Sequence, residues 1–153
     1  MNVQKIKRQY GLWHSLISPE FLSQGVRISD VKWDDSGYLV WLEARSDRSV
    51  CVVQPQDGQG MRDLNSTFSV RARVGYGGGD FSVGNGCVFF VEAISGRIYR
   101  QPIGQGSAQA LTPAFGTTAA PVLSPDGRWL LYIRRYEEQD SLEIVGANGE
   151  NWP

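Results

Sequence analysis

The chain has 153 residues, with 15 basic against 16 acidic side chains, 18 glycines, 11% aromatics, two cysteines and one histidine. That length fits one ordinary domain with a sizeable core. The near-neutral, scattered charge argues against nucleic acid as the main partner, because phosphate binding draws on concentrated Lys and Arg. No apolar stretch approaches the ~20 residues a membrane span needs, and the N-terminus lacks the apolar core of a signal peptide, so the expected location is the cytoplasm with no membrane partner.

Residues 1–27 read as a separate N-terminal segment. Lys5, Lys7 and Arg8 form a short solvated basic run. Ser18-Pro19-Glu20 carries the signs of a helix start: an N-cap hydroxyl, proline at the first helical position and an acid at the positive end of the dipole. Gly25 can end that helix in a left-handed conformation, which predicts one short helix over Pro19 to Gln24.

Strand signals take over at Ile28 and continue to the end. The chain also repeats itself. Glu43-Ala44-Arg45-Ser46-Asp47-Arg48 returns as Glu92-Ala93-Ile94-Ser95-Gly96-Arg97, with four identities in six positions at an offset of 49. Several strands recurring every ~40 to 50 residues are the mark of a β-propeller blade. The first unit, 28–65, reads as strands at Ile28 to Trp33, Tyr38 to Glu43, Ser49 to Gln54 and Met61 to Leu64. The second, 70–113, has Asp80 to Val83, Cys87 to Glu92, Arg97 to Ile103 and Ala108 to Thr112. Its Asn85-Gly86 turn is the strongest short hairpin signal in the chain. The third, 120–153, has Pro121 to Leu123, the Pro125-Asp126-Gly127 turn, Trp129 to Arg134 and Leu142 to Val145. It reaches Trp152-Pro153 where a fourth strand would begin. The fold class expected is all-β: an incomplete propeller of about three four-stranded blades, preceded by a short helical segment, against the roughly four to eight blades of a closed one.

The second strands align position by position: Leu39-Val40-Trp41-Leu42-Glu43, Val88-Phe89-Phe90-Val91-Glu92 and Leu130-Leu131-Tyr132-Ile133-Arg134. Each has four apolar residues, an aromatic third, then a charge. A half-wet strand would alternate, so both faces of each sheet are expected to be covered and the charged end to emerge into solvent. An open wedge would still leave the outer faces of its first and last sheets without neighbours, which predicts self-association.

Candidate chemistry is sparse. Cys51 and Cys87 sit inside predicted strands and read as buried thiols. With His14 they are too few for a metal site. Gly75-Tyr76-Gly77-Gly78-Gly79 could form an anion nest. It lacks the Lys-Ser/Thr ending of a P-loop, so close backbone approach explains it better. His14 is the only imidazole, no Gly-x-Ser-x-Gly elbow occurs, and Gly106-Ser107 belongs to a polar loop, so a Ser–His hydrolase is the weakest reading. Asp34-Asp35 and Glu137-Glu138 lie at turns as ordinary solvated residues, with side chains diverging rather than converging on a proton. Arg128-Trp129 to Arg134-Arg135-Tyr136 combines cations and aromatics, but its apolar middle fits a strand better than a base-stacking surface. No catalytic, cofactor or metal residue is assigned.

Several segments resemble the N-terminal part of bacterial prolyl oligopeptidase-family (S9) serine peptidases of the acylaminoacyl-peptidase or dipeptidyl aminopeptidase type. They are Tyr10-Gly11-x-Trp13, Ser18-Pro19-Glu20, Val26-Arg27-Ile28-Ser29, Trp33-Asp34, Tyr38-x-x-Trp41-Leu42-Glu43, Arg62-Asp63-Leu64 and Val70-Arg71-x-Arg73-Val74 with Tyr76-Gly77-Gly78-Gly79. Leu123-Ser124-Pro125-Asp126-Gly127-Arg128-Trp129 is similar to the turn common to such propellers and to TolB-like and WD40-like repeats. Only Gly75 stands where the family has His-Glu. The resemblance implies a propeller of about seven blades capping an α/β-hydrolase domain that supplies the Ser, Asp and His. No position here matches those catalytic residues. The implied role is non-catalytic gating and docking for that hydrolase domain, with peptide hydrolysis belonging to a full-length relative. A stand-alone binding or scaffold module completed by oligomerisation is the alternative.

Overall fold

A computed structural model describes residue 9, residues 25–74 and residues 79–149. The expected helix at 19–24, Trp152-Pro153 and the motifs before Gly25 lie outside the described residues. The described chain is all-β, with no helix, and forms three antiparallel sheets. The first sheet holds β1 (Arg27–Trp33), β2 (Leu39–Ala44), β3 (Ser49–Gln54) and β4 (Arg62–Asp63) in sequential order. The second holds β5 (Phe81–Gly84), β6 (Cys87–Val91), β7 (Ile98–Pro102) and β8 (Gln109–Ala110), again in order. The third holds β9 (Thr117–Leu123), β10 (Trp129–Tyr136) and β11 (Gln139–Gly146), with β10 central.

Short turns set these meanders. Asn85 and Gly86 both take positive φ (52° and 67°), as a two-residue hairpin turn requires. Glu137 and Glu138 do the same (49° and 62°), although glutamate is a poor turn residue there. The β10–β11 ladder therefore runs through Tyr136↔Gln139, beyond the strand ends read from sequence. Arg135 bridges to Asp140 at 2.7 Å and Tyr136 meets Phe115 edge-on at 5.4 Å, and both contacts hold the strand ends against the strained turn.

Alternation on β6 drives the packing. Val88 and Phe90 join Val40, Leu42, Cys51, Val53 and Phe81 in a core between the first and second sheets. Cys87, Phe89 and Val91 face the other way and join Ile98, Ala119, Leu130, Tyr132 and Val145 between the second and third. All five β6 residues are buried for that reason. Each such side chain contributes about 1.5–3 kcal/mol of transfer free energy. Cross-strand register makes Trp41↔Val52, Phe90↔Tyr99 and Tyr132↔Glu143 equivalent pairs. Phe90 and Tyr132 each face the sheet that precedes them.

Three expectations need correcting. β10 alternates after all: Leu130, Tyr132 and Arg134 are buried, while Trp129 is exposed and Leu131 and Ile133 are half-exposed. Among the described residues no sheet follows it to cover the second face. Two of the three charged strand ends, Glu92 and Arg134, do not emerge into solvent either, because hydrogen bonding inside the fold satisfies them. Glu92 is buried and accepts from the amides of Ile94 (2.9 Å) and Ser95 (2.7 Å). Arg134 is only 1% exposed. Its guanidinium donates to Glu143 at 2.8 Å and to the Phe115 carbonyl, and lies 4.3 Å from the Phe115 ring centroid. Finally, Asp34 is buried rather than solvated. Its carboxylate accepts from the Ser36 amide at 3.0 Å and, across to the next sheet, from the Gly86 amide at 3.1 Å. One turn further, Asn85 donates to the Gly127 carbonyl at 3.3 Å, so each turn holds the next.

Candidate functional site

His14 and Gly75–Gly78 lie outside the described residues. Gly79 is described, and its role is steric: φ is +64°, and a Cβ there would stand 2.8 Å from the Ala120 Cα. The Ala120 amide donates to the Gly79 carbonyl at 2.9 Å, so this end of the glycine run lies backbone to backbone against β9. Ser107 is an exposed loop residue. Cys51 and Cys87 are free and buried, and burial pushes both thiols up, away from the reactive thiolate. Among the described residues no three His, Cys, Asp or Glu side chains could hold a metal ion.

The arginines of the basic-aromatic stretch are each matched by a carboxylate. Arg128 meets Asp126 at 2.7 Å, Arg134 meets Glu143 at 2.8 Å and Arg135 meets Asp140 at 2.7 Å. The Ser124 hydroxyl and Arg128 hold Asp126 down at about 2, so it is a carboxylate at neutral pH, committed to its own turn. Burial and the Glu143 hydrogen bond push the Tyr132 hydroxyl up to about 12, which keeps it a neutral donor. Burial favours the neutral form of Glu143, but the Tyr132 hydroxyl and Arg134 outweigh it and lower its pKa. This network braces the β10–β11 pair.

The open side of the third sheet is the feature left without a partner. Val122 is 59% exposed, Trp129 36%, Leu142 74% and Ile144 37%. Leu131↔Val122, Leu131↔Ile144 and Ile133↔Leu142 are cross-strand pairs, so these side chains form one apolar surface across β9, β10 and β11. Its counterparts in the other sheets are Val40, Val53, Leu42 and Cys51 in the first, and Phe89, Val91 and Ile98 in the second, all buried against the following sheet. The first sheet is not open in the same way. Ile28 and Trp33 on β1 are exposed, but Trp41, Val50 and Val52 are buried, with the Trp41 indole donating to Glu43 at 3.0 Å. The alignment of second strands locates β10's contribution to the open face. The sequence signal for β11's contribution is the apolar Leu142 and Ile144 at alternate positions. Among the described residues no helix is long and apolar enough to cross a membrane.

Neither a family model nor a curated protein matches the chain. Solved structures do. A crystal structure of puromycin hydrolase superposes with a TM-score of 0.72 at 23% identity, covering 92% of this chain and 25% of that one. A puromycin-hydrolyzing peptidase of Mycobacterium tuberculosis gives 0.71 at 23%, covering 95% and 26%. A putative TolB from Agrobacterium tumefaciens gives 0.55 at 19%, covering 76% and 41%. At these identities the likeness shows the fold, which is propeller-like and agrees with the resemblance to the propeller part of S9 peptidases. The chain spans about a quarter of the length of the two puromycin-hydrolysing structures.

Proposed function

We propose that this chain is the N-terminal propeller part of an S9-type serine peptidase. In this reading 1–27 is a leader segment, and 28–65, 70–113 and 120–153 are successive blades. Its role is non-catalytic: it gates substrate entry and docks against an α/β-hydrolase domain that supplies the nucleophile, acid and base. Peptide or aminoacyl-amide hydrolysis belongs to that whole protein. The observation that carries the reading is the superposition of 92% of the chain on a quarter of puromycin hydrolase, taken with the Arg71, Arg73 and glycine-run motif. Sequencing the native gene past the Pro153 codon tests it. A frame that continues into further blades and a Gly-x-Ser-x-Gly elbow is expected, and a stop directly after Pro153 refutes the reading.

The open apolar face favours a second reading, a stand-alone binding module completed by self-association. Sedimentation of the 153-residue chain tests this second reading. A discrete oligomer at micromolar concentration supports self-completion, and a monomer counts against it.

A further inference from the structure

An asparagine followed by glycine is prone to lose its side-chain amide, because glycine has no side chain to keep its backbone nitrogen away from the asparagine carbonyl carbon. At Asn85-Gly86 the Gly86 nitrogen would give up its proton and attack Asn85 Cγ. The new N–Cγ bond closes a succinimide, the Cγ–Nδ2 bond breaks, and ammonia leaves. Water then opens the ring at one carbonyl or the other, leaving aspartate or isoaspartate. Asn85 is exposed, on the turn between β5 and β6, so water reaches it. Yet both reacting groups are held by the neighbouring sheets. The Gly86 amide donates to Oδ1 of the buried Asp34, on the turn that follows β1, at 3.1 Å. Asn85 Nδ2 donates to the Gly127 carbonyl, on the turn between β9 and β10, at 3.3 Å. The amide lies so close over Gly127 that a Cβ there would have no room. The Gly86 carbonyl accepts from the Ile103 amide at 2.8 Å.

We propose that Asn85 is a modification site, open to spontaneous deamidation, and that Asp34 and Gly127 guard it by holding the attacking nitrogen and the leaving amide apart. A carboxylate that accepts the Gly86 N–H stabilises the protonated nitrogen and opposes the negative charge that nitrogen must carry to attack. The dihedrals add to this. Asn85 and Gly86 sit at φ 52° and 67°, and the Gly84↔Cys87 pair closes the hairpin around them. Bringing the Gly86 nitrogen onto Cγ turns the peptide between them, which breaks the bonds to Asp34 and Ile103 together. The reaction also undoes the guard once it has run. Its product carries a carboxylate where Asn85 donates, facing the Gly127 carbonyl, and the isoaspartyl form adds a backbone atom to a two-residue turn. Deamidation therefore uncouples the turn of the second sheet from that of the third.

Peptide mapping by tandem mass spectrometry tests this on the 153-residue protein aged at mildly alkaline pH. It resolves Asn85 from the chain's other Asn-Gly pair, Asn148-Gly149. The reference is the free peptide Ser-Val-Gly-Asn-Gly-Cys, residues 82–87. In the folded protein Asn85 is expected to deamidate roughly tenfold or more slowly than in the peptide, since the reaction waits on local opening. Asp34→Ala is expected to raise the rate about fivefold or more beyond what its unfolded fraction, read from its own urea curve, accounts for. Phe90→Ala keeps Asp34 and loses stability elsewhere, so its rate is expected to stay within its own unfolded fraction. A wild-type rate equal to the peptide's overturns the proposal, whether or not Asp34→Ala folds. A rate that falls in Asp34→Ala makes the carboxylate the base that takes the Gly86 proton and overturns it too. A rise no larger than the unfolded fraction allows assigns the protection to global stability and likewise overturns it.

Discussion

Replacing Phe90 by alanine is the most direct test of how the sheets are held together. Phe90 is fully buried between the first and second sheets. Its ring stacks on Tyr99 with centroids 5.8 Å apart and 15° between planes, and tilts against Phe68 at 5.9 Å. Truncation forfeits the transfer free energy of the phenyl group and leaves a cavity that two packed sheets cannot close. The expected loss is about 3–5 kcal/mol, a large share of the ~5–15 kcal/mol that holds a domain folded. For a chain of this length the thermal midpoint should fall on the order of 10 °C. Urea unfolding followed by far-UV circular dichroism measures it, with the slope m unchanged if only the native state is affected. Leu142→Ala is the matched control, because Leu142 is largely exposed and its loss should cost about 0.5 kcal/mol or less. Equal losses for the two variants, or a Phe90→Ala cost under ~1 kcal/mol, would refute face-to-face packing as the source of stability.

Further outcomes follow from the hydrogen-bond networks. Asp34→Ala removes the acceptor shared by the Ser36 and Gly86 amides and should cost about 1–3 kcal/mol in urea unfolding, against almost nothing for the exposed Asp35→Ala. Arg134→Ala strands the Glu143 carboxylate and the Phe115 carbonyl. A destabilisation of about 3–5 kcal/mol is expected, and a change under ~1 kcal/mol would mean the buried guanidinium is not held as described. Burial raises the pKa of Glu92, but the Ser95 and Ile94 amides, the Ser95 hydroxyl and Arg73 outweigh it, and the net shift is downward from 4.5. A carboxylate depressed in the folded state contributes stability that is present above its unfolded pKa and lost as pH falls through the folded one. The urea midpoint should therefore decline below about pH 4.5, and Glu92→Gln should flatten that decline. Cys51 and Cys87 should resist a thiol reagent in the native protein and both react in denaturant; rapid native labelling would contradict their burial.

Much of the strand pattern is legible in the sequence because its causes are local. Asn85-Gly86 can hardly be anything but a tight hairpin turn, and the apolar runs at Val40 to Leu42 and Cys87 to Val91 stay in strands because neighbouring sheets bury them. The long β10–β11 hairpin was less legible. Glu137-Glu138 is no turn signal, and the contacts that impose the turn, Arg135 with Asp140 and Tyr136 with Phe115, form only once the strands have met. Asp34 misled for a related reason. A turn aspartate looks solvated until the following sheet brings the Gly86 amide within 3.1 Å. The full extent of the open face on the third sheet was not legible, because it requires the register that equates Leu142 with Cys51 and Ile98.

By itself the sequence determined the all-β class, the repeated unit and the identity of the apolar strands, since each depends on side-chain type and spacing along the chain. Only the tertiary structure decided which charges are buried, which turns hold one another and which sheet face is left open. Those outcomes depend on what lies across from a residue: β6 and β10 read alike in sequence, yet β6 packs between two sheets and β10 has a packed neighbour on one side alone.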